Sequence, residues 1–249
     1  MIVIKTLLNR ELMILKYQWL KITSFLLIFP MLIFLCVVMP LYEIISLPVM
    51  NYLHWSVPGI LTICSSMICF NYGVKNIFLL KDKNQHYQIF LKSPISINKL
   101  ILGFYCISIK YGLLQFFVGS ILLNLINQGV FSFYQFLLIT IQILSYLLFV
   151  GSLSILVGFQ LSTYDSMQYV NIALFLIISF IFGALLPIEL FPEELSMYLK
   201  NIPLVIVVMN MQAILHISTP MYFGVLMCLI LAFFLFLVSL IFANKKLRI

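Results

Sequence analysis

Apolar runs of about 20 residues recur along the chain and leave it few folds to choose from. They lie at 22–39, 55–80, 100–123, 136–159, 169–186 and 221–243. Wound as a helix, a run of that length crosses the ~30 Å hydrocarbon layer of a bilayer. In lipid every backbone N–H and C=O needs an internal partner, so spanning segments are helices or a closed barrel. The runs show no period-2 alternation and outlast a barrel strand. The expectation is an all-α integral membrane protein, with six transmembrane helices in a single transmembrane domain over 1–249. Composition agrees: the chain is 64% apolar and 8% charged, with a mean hydropathy of +1.18. A soluble domain is about half apolar and a quarter charged.

The net charge of +7 is unevenly placed. Four of the 14 basic residues fall in 1–21, five in 75–99 and three after the last run, leaving only Lys110 and Lys200 elsewhere. Bases gathered at span ends are a topology signal, which argues against a nucleic-acid partner. By the positive-inside rule both termini and the 75–99 segment are cytoplasmic, consistent with an even number of spans. The Ile-, Lys-, Asn- and Phe-rich usage fits an AT-rich bacterial genome. The chain is therefore expected to be a multi-pass protein of the bacterial cytoplasmic membrane. The N-terminal stretch lacks a short apolar region with a small-residue cleavage site, so no signal peptide is expected.

Residues 1–21 alternate Ile4, Leu7, Leu8, Leu12, Leu15 and Trp19 with Lys5, Arg10, Glu11 and Lys16. That spacing predicts an amphipathic helix in the membrane interface, either an anchor for the first span or a strut passing force from a cytoplasmic partner. Pro30 is expected to kink the first span and Pro40 to end it. Pro58 and Gly59, near the outer end of the second span, read equally well as a hinge or a helix start. Segment 75–99 carries Lys75, Lys81, Lys83, Lys92 and Lys99, and its 78–91 part can form a short amphipathic helix ended by Ser93-Pro94. Ser96 or Asn98 can cap the helix that follows. Lys110 sits about 15 Å into the third span, where a lysine snorkels, pairs or faces water. It is thus either a snorkelling residue or a candidate pore residue. In 187–220, Glu189, Glu193 and Glu194 stand near Pro187 and Pro192, and the apolar 204–215 is too short to cross. That outer segment is expected to be re-entrant or interfacial.

Chemistry-bearing motifs are scarce. Cys36, Cys64, Cys69, Cys106 and Cys228 lie in apolar runs without Cys-x-x-Cys spacing, as buried apolar side chains do. His54, His86 and His216 are too scattered for one site. The sequence has no Walker-type Gly-rich loop, His-Glu-x-x-His or Gly-x-Ser-x-Gly. The chain is therefore expected not to be an enzyme by itself and to bind no cofactor or metal. If it transports, energy comes from another subunit.

Three stretches together resemble the membrane subunit of a type-2 ATP-binding cassette (ABC) exporter. They are SVPGI at 56–60, LKSPISINKLILG at 91–103, and FGALLPIELFPEELSMYLKNIPLVIVVMNMQAIL at 182–215. The second is similar to the family's coupling-helix region. The third is similar to its Pro-x-x-x-x-Pro bend, re-entrant hairpin and Asn-x-Pro-Leu turn (Asn201 to Leu204). Asp82, Lys83 and Asn84 depart from the family's Glu-x-Gly, and Met211-Gln212 from its Arg.

The resemblance implies a permease moving an amphipathic or hydrophobic substrate, peptide or drug-like, outwards. A lipid-linked glycan is the alternative substrate. It implies a coupling helix between spans two and three, docking through Phe78, Lys81, Asp82, Lys83, His86, Tyr87, Phe90 and Pro94. It also implies an N-terminal interfacial helix carrying Arg10, Glu11, Lys16 and Trp19, a hinge at Pro58 and Gly59, and a re-entrant hairpin shaped by Pro187, Glu189, Pro192, Asn201 and Pro203. The implied partners are an ABC ATP-binding subunit holding ATP and Mg, and a second copy or similar chain completing the pore in membrane lipid. A non-transporting membrane scaffold or immunity subunit, docking its partner through the same basic segment, is the competing reading.

Overall fold

The computed structural model describes residues 2–47, 51–81, 96–127, 129–161, 163–217 and 222–247. All regular elements among them are helical. Helices α1 (Ile2–Tyr17) and α2 (Trp19–Ile33) are followed by a π-turn (Phe34–Val38) and α3 (Met39–Ile44). The long helices α4 (Tyr52–Lys81), α5 (Ile97–Ile126) and α6 (Phe133–Gln160) come next. Helix α7 (Tyr164–Leu176) runs into a second π-turn (Ile177–Ile181), and the chain continues through α8 (Glu193–Lys200), α9 (Pro203–Ile217) and α10 (Tyr222–Leu247). Among the described residues, five stretches are long and apolar enough to cross a membrane: Trp19–Ile44, α4, α5, α6 and α10. The protein is therefore a multi-pass helical membrane protein in its broad design.

Helix α4 is the central post. Of its apolar window 83% is buried, against 22% for α10, and its main neighbours are α5 and α6. Its interior suits that place, because the Ser56, Thr62, Ser65 and Ser66 hydroxyls donate to carbonyls three or four residues back. That satisfies them without water. Small residues let the helices close: a Cβ on Gly73 would stand 1.9 Å from Ser154 Oγ of α6. Helix α10 turns Phe223, Phe233, Phe234, Leu237 and Ile241 outwards, a surface suited to lipid and not to water.

Local signals account for several boundaries. Ser132 and Gln135 form a capping box at the start of α6, and Thr163 and Ser166 do so at α7. Glu193 and Glu194 occupy the first turn of α8 and Lys200 its last, in line with the helix dipole.

Several sequence expectations need correction. Pro40 does not end the first span, since the helix continues to Ile44. The π-turn before it bonds the Met39 N–H to the Phe34 carbonyl, and that wider turn takes up the ring. Trp19 opens α2 and does not close the amphipathic helix. Glu11, expected between the apolar positions of α1, is buried, whereas Leu12 is exposed. The stripe against α5 runs through Leu7 and Glu11, one turn apart. The second span is one helix through Pro58. Ser96 stands at the N-cap position of α5 but makes no side-chain cap bond, and Asn98 lies inside the helix. The fifth span is short: Asp165–Ile181 falls below the length of the other five. Gly183, at φ +73°, turns the chain there. Tertiary donors then replace helical ones, with Tyr52 Oη on the Leu185 carbonyl at 2.5 Å and Gln212 Nε2 on the Gly183 carbonyl at 2.9 Å. Beyond the turn, α8 and α9 meet at 93°.

The two ends of the bundle differ. At one end Lys246 Nζ donates to the Phe159 carbonyl, Asn244 Nδ2 to Asn98 Oδ1, and Leu7 packs against Gly103. This end gathers α1, the close of α4 and the start of α5, with their lysines. At the other end Gln135 Nε2 of α6 bonds the Ile214 and Leu215 carbonyls of α9, 3.2 Å from each.

Candidate functional site: a basic cleft between α1, α2, α4 and α5

A cleft of about 810 Å³ lies at the basic end, walled by α1, α2, α4 and α5. Helix α4 supplies much of its polar lining. Asn71 and Lys75 stand one turn apart, as do Tyr72 and Asn76, so two adjoining rows meet the cavity. From α2 come Lys21, Ile22, Phe25 and Ile28, and from α1 Arg10 and Glu11.

Glu11 sits deep in this site, at 5% exposure. A carboxylate so buried requires partners. Arg10 Nη2 stands 2.7 Å from Oε1, and the Tyr111 hydroxyl donates to Oε2 at 3.1 Å. The Tyr111 ring stacks on Tyr72 with centroids 3.8 Å apart and planes 7° from parallel. One carboxylate thereby links α1 to α5, and through the rings to α4.

The remaining lining adds the Lys21 and Lys75 ammonium groups and the amides of Gln18, Asn71 and Asn76. Lys21 and Lys75 are exposed, and among the described residues neither is in the salt bridge that Arg10 and Glu11 form. Once Arg10 balances Glu11, the lining carries surplus positive charge. Asn76 is 7% exposed, and its Nδ2 has no hydrogen-bond partner among the described residues. Ile22, Phe25, Ile28, Ile68 and Leu79 make the walls apolar. The cleft thus joins cationic and amide donors to a hydrocarbon surface.

Of the residues singled out from sequence, Arg10 and Glu11 enter this site. Lys16 and Trp19 are exposed outside its lining. Phe78 is half-buried near the end of α4, and Lys81 is its last residue. Asp82, Lys83, His86, Tyr87, Phe90 and Pro94 lie outside the described residues. Pro58 and Gly59 are buried near the start of α4, where a Cβ on Gly59 would stand 1.8 Å from the Ala184 carbonyl oxygen. Gly59 therefore serves close packing of α4 against the turn after α7. Pro187 and Glu189 flank and enter a 3-10 turn, Pro192 precedes α8, and Pro203 opens α9. Asn201 bonds back to the Met197 carbonyl at 3.0 Å.

Lys110 adjoins Tyr111 but lines a separate groove of about 540 Å³ with Cys106, Leu113, Leu114 and Phe117. Its Nζ has no hydrogen-bond partner among the described residues and lies 6.0 Å from the Tyr111 ring centre.

Tyr72, Asn76, Tyr111 and Lys21 were not singled out from sequence. The pairs at i and i+4 on α4 were a usable signal. Tyr111 had none, since its role depends on a glutamate far away in the chain. The sequence matches no family model, and no curated protein matches it.

Proposed function

We propose that the chain is the permease subunit of an ABC exporter, with the translocation path built from this chain and a second copy or a similar one. The substrate is amphipathic or hydrophobic, a peptide or drug-like molecule. The chain is not itself an enzyme and holds no cofactor; ATP and Mg belong to a separate ATP-binding subunit. In this reading six spans cross a bacterial cytoplasmic membrane with both termini inside, the short α7 stretch and the bent α8–α9 pair completing the layout on the outer side.

The observation that carries the reading is the fastening of α1. Glu11 ties it to Tyr111, and the same basic end holds Phe78 and Lys81 at the close of α4. A push from a cytoplasmic partner on either arm reaches the α4–α5 pair without slack, because packed interiors respond as rigid bodies. The 93° break between α8 and α9 supports a segment that enters the membrane without crossing it.

Affinity purification of the tagged chain from its native membrane in mild detergent tests this. A stoichiometric ATP-binding subunit is expected, and the Lys81→Glu, Lys83→Glu double variant should lose it. Elution without such a subunit, repeated after crosslinking in the membrane, overturns the proposal.

A further inference from the structure

The charged groups of the cleft are mismatched in one direction, three bases to one acid among the described residues. Glu11, its acid, is already held by Arg10 and Tyr111. Among the described residues the donors left over include Lys21, Lys75 and Asn76 Nδ2. A buried amide N–H without a partner is costly, and Asn76 is buried to more than nine-tenths of its surface. Its Nδ2, with two lysines at the same lining, calls for an acceptor-rich anion. The walls then restrict which anion. Phe25 and Ile28 line the cleft and are 57% and 53% exposed, so an apolar surface leads out along α2 from the donors. A small inorganic ion would leave that surface and most of the 810 Å³ unused. A zwitterionic lipid would bring its own cation to a lining that already has surplus positive charge.

We propose that this cleft binds an anionic phospholipid, with its phosphate at Lys21, Lys75 and Asn76 and an acyl chain along Phe25 and Ile28. Bound there, the lipid bridges α1 and α2 to α4 and steadies the arm that Glu11 fastens. The proposal rests on the cleft and not on the exporter reading, and it is tested without any ATPase.

The full chain is purified in detergent and titrated with phosphatidylglycerol or phosphatidylcholine, and bound lipid is read by native mass spectrometry. Saturable retention of phosphatidylglycerol over phosphatidylcholine is expected. Each lysine at a lipid surface contributes about fivefold, so the Lys21→Ala, Lys75→Ala double variant should bind about thirtyfold more weakly. Lys75→Arg should bind as the parent does, and Asn76→Leu should weaken binding with an unchanged gel-filtration profile. Both lysines are exposed, so the same profile checks the fold of the double variant. Equal retention of the two lipids, or of phosphatidylglycerol by the parent and the double variant, overturns the proposal. Inorganic phosphate displacing the lipid at comparable concentration would reassign the site to a free anion and overturn it too.

Discussion

The Tyr111 hydroxyl donates to Glu11 Oε2 across 3.1 Å, joining two residues 100 positions apart. It places α1 under the control of the bundle interior. A hydrogen bond to a buried carboxylate contributes about 2 kcal/mol. Tyr111→Phe should lower the unfolding free energy in detergent by that amount, and Glu11→Ala by at least as much. The double variant should be little worse than Glu11→Ala alone, because the shared bond is lost once. Strictly additive losses in thermal unfolding would show that the bond does not form.

Gly59 and Gly129 separate two reasons for glycine. A Cβ on Gly59 meets the Ala184 carbonyl at 1.8 Å, whereas one on Gly129, at φ +91°, meets nothing within 4 Å. Gly59→Ala must move α4 away from the turn after α7 and should cost more than about 3 kcal/mol. Gly129→Ala bears only the backbone penalty of about 1 kcal/mol. Yield and unfolding midpoint of the two variants, measured side by side, check the order.

Gln135 has two tasks. It closes the capping box with Ser132, and its Nε2 holds the last carbonyls of α9. Ser132→Ala loses the cap alone, about 1 kcal/mol. Gln135→Ala loses its side chain's half of the capping box and the tie, so it alone should speed hydrogen exchange near the end of α9. Equal exchange in the two variants would refute the tie.

Lys110 carries a charge into an apolar groove with no acid facing it among the described residues. An unpaired charge in a span is unfavourable by about 3 kcal/mol before snorkelling relieves it. Lys110→Met should raise the unfolding midpoint. A drop instead would reveal a partner for the ammonium group, and loss of transport with raised stability would mark it as a pore residue.

By itself the sequence determined the class of fold. Long apolar runs in lipid have helices as their solution; α4, α5 and α6 each contain the run that announced them, and α10 holds the described part of its own. The break between α8 and α9 was legible too, because Pro203 and a short apolar run are local features. So was the basic end, since charge at span termini follows from the energetics of lipid. What the sequence missed depends on contacts between distant residues. Pro40 reads as a stop until the π-turn before it is seen. The fifth run reads as helical to its end until Tyr52 and Gln212 capture the carbonyls of the turn that follows Ile181. Glu11 reads as a surface charge on an amphipathic helix, and only tertiary structure buries it, because Arg10 and Tyr111 must arrive together to make that burial tolerable. The cleft has the same origin. Its residues come from four helices, and no local pattern encodes a cavity that exists only once those helices pack.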